Sequence, residues 1–274
     1  MKKLRVVILS HGGVERVLKR LCEIESVEVV GVFVETDLQP KRSLSEKIKR
    51  SILYDGYLQT SKKILSRFLR QEVESEKELS AIRNGQRELE ELSARLKVPC
   101  HVVNSYHSSE AIKLLKDTDP DLGILYGTNI IRESVFNIPR RGSINLHQGL
   151  APYYRGGPPV FWELLNGEDK VGLTVHFVAR EVDTGDIVLQ ETVPLEYDFS
   201  TYGLDYESFV RDWLSVSAEP SARLVVEAVQ LISEGNDRPV KQDLSIGKRY
   251  RLPTRKEKDL LLGALMKRQK LGKA

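Results

Sequence analysis

The sequence predicts an α/β fold, a doubly wound and mostly parallel sheet, on three observations. LRVVIL (residues 4–9) is an unbroken apolar run, as a parallel strand covered on both faces requires. It ends in Ser10-His11-Gly12-Gly13, after which Val14, Val17, Leu18 and Leu21 recur at helical spacing, and VEVVGVFV (27–34) supplies a second strand. The same strand–helix alternation returns after residue 99, and a chain of 274 residues with 41% hydrophobic content can bury the core such a sheet needs.

Residues 41–97 interrupt the alternation. They are charged, carry Gly56 and Gly85, and read as a helical insertion. Leu79, Ile82, Leu89, Leu92 and Leu96 can line one helix face, with Ser45 or Ser61 as capping residues. The insertion can cover the sheet, form a dimer contact in a homodimer, or close over an acceptor. CHVV (100–103) then reads as a strand, Ser108–Lys116 as a helix and LGILYG (122–127) as a strand. SINLH (143–147) is the next strand, Phe161–Asn166 a helix behind Pro158-Pro159, LTVHFVA (173–179) a strand and IVLQ (187–190) a short one. Glu207–Ser233 contains a helix expected to break or restart near Pro220, because proline lacks the amide hydrogen a helix interior uses.

Composition narrows the function classes. Cys22 and Cys100 are not in metal or disulfide spacing, and the five histidines are too scattered to predict a metal site. The apolar part of the N-terminus is too short for a signal peptide, and no run approaches a membrane span, so a cytoplasmic protein without membrane contact is expected. The net charge of +3 is uneven: residues 241–274 carry +8 and the remainder −5. That basic tail, poor in aromatics, reads as a solvated, partly helical segment, with nucleic acid a minor option.

The chemistry concentrates in SINLHQGLAPYYRGG (143–157) and VGLTVHFVAREVDTGD (171–186). Asn145 and His147 are two apart, so on a strand both emerge on one face. Asp183 follows in a Val-Asp-Thr-Gly turn that can return a carboxylate to the imidazole. Singly, His147 reads as a core histidine and Asn145 as a strand-end cap. As an ordered set with Tyr154-Arg155-Gly156 and Asp183-Thr184-Gly185, they read as a site. His176 is expected to support Asp183 or pack in the core, and Thr174, on the same face, to bond the Asp183 loop. His101 and His107 read as ordinary surface or strand-edge residues.

These motifs resemble the folate-dependent formyltransferase family over roughly residues 120–190. The resemblance implies a Rossmann-like catalytic domain over 1–190, containing the 41–97 insertion, and a C-terminal helical extension with its basic tail over 191–274. It implies 10-formyltetrahydrofolate as formyl donor and a small-molecule amine as acceptor. Asn145 and His147 would serve the oxyanion, and Asp183 would orient His147 and raise its pKa. The folate would lie against Tyr126, Gly127, Thr128, Ile130, Val182 and Asp186, largely through backbone groups. The acceptor would meet His11, Gly12 and Gly13 on one side and Tyr154, Arg155 and Gly156 on the other. Gln148-Gly149 stands where the family usually has Pro-Ser. The Tyr-Arg-Gly-x-x-Pro stretch resembles sugar N-formyltransferases, which points to a nucleotide-linked amino sugar. Hydroxyornithine-type acceptors, a methionyl-tRNA formyltransferase-like role, a formyltetrahydrofolate hydrolase and a non-catalytic folate-binding relative are the alternatives.

Overall fold

In the computed structural model, residues 2–36, 46, 49, 51–54 and 73–271 are described. Seven strands form one sheet: β1 (Leu4–Ser10), β2 (Val27–Glu35), β3 (Cys100–Val103), β4 (Leu122–Tyr126), β5 (Ser143–His147), β7 (Lys170–Phe177) and β8 (Ile187–Pro194). Their spatial order is β3-β2-β1-β4-β5-β7-β8. The first five run parallel, whereas β7 is antiparallel to both β5 and β8. The mostly parallel doubly wound sheet is therefore present, with an antiparallel margin at one side.

Period-two alternation splits β1 between two cores. Leu4, Val6 and Ile8 enter one core with α1 (Glu15–Cys22) and α7 (Tyr206–Glu234), while Val7 and Leu9 enter the other with Phe33, Tyr106, Leu115 and Val135. The second face is covered by α3 (Ser109–Asp117) and the short α4 (Glu133–Phe136). Ser108 caps α3 by accepting the Ala111 amide at 3.1 Å.

The long α2 (Val73–Leu96) lies where helix was expected in the insertion; Leu89 and Leu92 are buried and Leu96 packs on the core. Ser45, Ser61 and Gly56, and the side chains of Leu79 and Ile82, fall outside the described residues. Strand β7 begins at Lys170 and ends at Phe177, and β8 runs on to Pro194, because the two pair along most of their length. Helix α7 passes through Pro220 without a break, contrary to the sequence expectation. Its buried ridge Phe209, Trp213, Leu224, Val225, Ala228 and Ile232 spans both sides of the proline. The carbonyl one turn earlier belongs to Val216, which is 69% exposed, so water can reach the group left without its helical donor.

Beyond α7 the chain returns to the sheet margin. Val240 and Ile187 exchange backbone hydrogen bonds at 2.8 Å each. Further on, β9 (Lys248–Arg249) pairs in parallel with β6 (Tyr154–Arg155), directly after the Asn-x-His strand. Arg268 of α8 (Arg255–Leu271) donates at 2.9 Å to the Leu164 carbonyl of α5 (Phe161–Asn166). The remaining α6 (Phe199–Tyr202) is a single turn before α7. Among the described residues, no helix is long and apolar enough to cross a membrane.

Candidate active site

A cleft of about 270 Å³ opens beside the carboxyl ends of β4 and β5. Three stretches wall it: Leu125 with Gly127–Ile131 after β4, Asn145–Gln148 at the end of β5, and Val178–Asp183 after β7. Gly156, Gly157, Pro159 and His176 complete it. It thus collects Asn145, His147, Asp183, Gly127, Thr128, Ile130, Val182 and Gly156 of the residues expected from sequence.

Strand register produces the arrangement. Asn145 lies opposite His176, and His147 opposite Thr174. Asn145 and His176 therefore touch, Nδ2 to Nε2, at 3.3 Å. His176 Nδ1 donates to the Phe177 carbonyl at 2.7 Å, which leaves Nε2 as the acceptor for Asn145 in the neutral ring. Thr174 does not bond the Asp183 loop as expected. Its hydroxyl donates to the Gly149 carbonyl at 2.7 Å and accepts from the Ala151 amide, because the opposed residue on β5 leads straight into that turn.

Asp183 sits at φ +56, a left-handed conformation that Asp tolerates better than most residues. Its Oδ2 accepts the Gly156 amide at 2.8 Å and lies 3.3 Å from His147 Nδ1; its Oδ1 lies 3.4 Å from His176 Nε2. Burial alone would raise this carboxyl, but His176, whose Nε2 can donate to it once the ring is protonated, the attraction of His147 and the Gly156 amide outweigh it and hold its pKa at about 2.

His147 Nε2 donates to the Tyr154 carbonyl at 2.8 Å. Both ring nitrogens thus face acceptors, Tyr154 O and the Asp183 carboxylate. Burial nevertheless pushes the His147 pKa down, and outweighs the upward pull of Asp183 and of the carbonyl. The expected upward shift is reversed, since the ring is only 11% exposed. A neutral imidazole bracketed by acceptors is suited to taking up a proton transiently.

The Gln148-Gly149 departure has a local reason. A Cβ at residue 149 would collide with His147 Nε2 and with the Tyr154 carbonyl, so only glycine admits this bond. Gln148 donates to Ser217 Oγ of α7 at 3.3 Å.

Other expected residues lie off the cleft. Tyr126 ends β4 just before it, and Asp186 follows the turn, its carbonyl accepting the Phe177 amide. Tyr154 and Arg155 contribute backbone, with Arg155 Nε bonded to the Pro152 carbonyl. His11, Gly12 and Gly13 lie beyond β1, one strand over from β4. There His11 Nε2 is 3.0 Å from Glu35 Oε2, and Glu35 Oε1 accepts the Tyr106 amide at 2.9 Å. His107, read as an ordinary residue, accepts the Arg132 amide at 3.1 Å, whereas His101 packs on Phe33.

Residues beyond 190 enter the site's frame, and sequence reasoning missed them. Gln242 Nε2 donates to the carbonyls of Asp183 (3.1 Å) and Gly185 (2.7 Å). Tyr250 stacks on Tyr154, with centroids 5.2 Å apart, and the Trp162 indole donates to the Arg251 carbonyl. A second groove of about 450 Å³ adjoins the cleft at Pro159, lined by Phe161, Tyr206, Val210 and Leu252, with Arg211, Lys258 and Glu207.

Methionyl-tRNA formyltransferase of Bacteroides fragilis is 34% identical over 134 residues, 49% of this chain and 39% of that protein. The corresponding protein of Chlorobium limicola is 34% identical over 55% of this chain and 45% of its own length. The chain thus spans less than half the length of these relatives. Glycinamide ribonucleotide transformylase 1 from Symbiobacterium toebii shares the fold, with TM-score 0.53, 20% identity, and coverage of 88% of this chain and 95% of that one. WlaRD, a sugar 3N-formyl transferase, does so with TM-score 0.52, 14% identity, and coverage of 94% and 72%. A family model described as formyl transferase matches residues 5–204, and the chain belongs to that family.

Proposed function

We propose that this protein transfers the formyl group of 10-formyltetrahydrofolate to the amine of a small acceptor, a nucleotide-linked amino sugar. The observation that carries the reaction is the meeting of Asn145, His147 and Asp183 at one cleft. In this reading the Asn145 amide donates to the formyl oxygen as the acceptor nitrogen adds to the formyl carbon and charge builds on that oxygen. His147 takes the proton that the acceptor nitrogen loses, and Asp183 stabilises the resulting imidazolium. The same proton can then pass to the departing folate nitrogen, so the ring ends neutral. Gly127–Ile131 lies outside helix and strand and lines the cleft, so backbone groups of this loop can face a pterin edge.

The groove at Pro159 supports the acceptor class. Phe161 and Tyr206 offer ring faces, and Arg211 with Lys258 outnumber Glu207, which suits an aromatic base bearing phosphates. A second reading, transfer to an aminoacylated tRNA, is favoured by the methionyl-tRNA formyltransferase relatives and the +8 charge of residues 241–274.

The test is an acceptor screen with 10-formyltetrahydrofolate, following release of tetrahydrofolate. Amino sugar nucleotides, glycinamide ribonucleotide, hydroxyornithine and methionyl-tRNA are compared with a no-acceptor control. Release with an amino sugar nucleotide that disappears in His147→Ala supports the reading. Release with tRNA alone selects the second reading, and equal release without acceptor identifies a hydrolase.

A further inference from the structure

The turn carrying Asp183 has to be held from outside. Its φ of +56 is a conformation that residues with a Cβ seldom adopt. Its carboxylate meets His147 and His176 at 3.3 and 3.4 Å, distances that a small slide of the turn would open. Gly185, two residues on, is pressed so close to the Phe177 carbonyl that no side chain fits there.

Gln242 supplies the hold. It follows the Ile187–Val240 bridge by two residues and is 7% exposed. One amide nitrogen donates to both the Asp183 and the Gly185 carbonyls, at 3.1 and 2.7 Å. Its own Oε1 is buried with no hydrogen-bond partner among the described residues. An apolar residue would avoid that unsatisfied oxygen but would leave the buried Gly185 carbonyl and the half-buried Asp183 carbonyl without these donors. A buried carbonyl stripped of its donor is destabilising, so the two bonds made outweigh the one orphan oxygen.

We propose that Gln242 is a positioning residue for the Asp183 carboxylate, so that the segment after α7, outside the family-matched residues 5–204, completes the catalytic apparatus. Gln242 does not line the cleft and acts only through the peptide groups of the turn. The proposal rests on the role given to Asp183 under the proposed function.

The experiment uses the full chain with Gln242→Met, which keeps length and removes both donors, and Gln242→Asn, which keeps the amide but shortens its reach. Three quantities are read: kcat and KM for tetrahydrofolate release, the imidazole titrations of His147 and His176 by NMR in the free protein, and the melting temperature. In Gln242→Met, kcat falls about tenfold to a hundredfold with donor KM nearly unchanged, as for a catalytic group displaced by about 1 Å. The His147 titration moves further down, by about half a pH unit or more, because the carboxylate that supports the imidazolium has moved away. Gln242→Asn falls between Met and wild type.

Wild-type kcat and wild-type titrations in Gln242→Met overturn the proposal. A loss of kcat that only tracks the unfolded fraction, with unshifted titrations, assigns Gln242 a structural role and overturns it as well. If the Met variant does not fold, the Asn variant decides by the same two readouts. The titrations need no acceptor, so they decide the role of Gln242 even if Asp183→Asn proves fully active and the formyl-transfer reading fails.

Discussion

At His147 two acceptors and deep burial pull in opposite directions, and the direction of the pKa shift says which wins. Burial wins, so the resting ring is neutral and can accept a proton. Replacing His147 with Ala should lower kcat about 10²–10⁴-fold, the usual range for a lost general acid–base, with the circular dichroism spectrum unchanged. Asn145→Ala should cost about 10²–10³-fold, as for one oxyanion donor; wild-type turnover in either variant would remove that residue from the mechanism. Asp183 makes a further prediction, on stability. Its pKa is lowered to about 2 in the folded protein, so its contribution is fully present above the unfolded value and is lost as pH falls through the folded one. The contribution is about 2–3 kcal/mol, lost between about pH 5 and about pH 2. The lowered His147 pKa has the same sign, because the unfolded ring binds the proton more readily, and this adds to destabilisation as pH falls below about 6.5. Urea denaturation across pH should show wild type losing its advantage over Asp183→Asn on acidification. A constant gap between the two would contradict the lowered pKa.

Among the elements, α7 shows how packing overrides local preference. Pro220 suggested a break, yet ten buried residues along the helix hold it in one piece. A proline in a helix interior is about 3 kcal/mol less favourable than alanine, some of it recovered through the stiffer unfolded chain. Pro220→Ala should therefore stabilise the protein by about 1–2 kcal/mol, a rise of about 2–8 °C in melting temperature. A lower melting temperature would mean that the Pro220 ring packs usefully. The elements bearing the site were legible for a simple reason: apolar runs and period-two spacing report burial directly, and they put Asn145 and His147 on one face. His176 was read, from its place on the strand before the Asp183 turn, as supporting Asp183 or packing in the core, and it does both: it is buried and its Nε2 lies 3.4 Å from Asp183 Oδ1. The Tyr154 carbonyl was not legible, since a backbone acceptor has no side-chain signature. Gln242 was hidden for a different reason. Nothing in its local sequence marks it, and its partners Asp183 and Gly185 lie 59 and 57 residues away.

Charge is the property of the whole molecule that separates the acceptor readings. The +8 of residues 241–274 and the −5 of the remainder give the chain a polarity that its net charge conceals. Part of that basic segment is structural: Lys248 and Arg249 form β9, and Arg268 is bonded to Leu164. A polyanion crossing the segment would displace several counterions. Six to ten phosphate contacts would weaken binding about 10³–10⁵-fold between about 50 and about 200 mM salt. A nucleotide-linked sugar brings only the charge of its phosphates, so its KM should change by about tenfold at most over the same range. Steady-state kinetics in two salt concentrations, with each active acceptor, therefore reads the acceptor's charge independently of its identity. A shallow dependence supports the groove beside Pro159 as the acceptor's seat. A steep one moves the acceptor onto the basic C-terminal surface and selects tRNA.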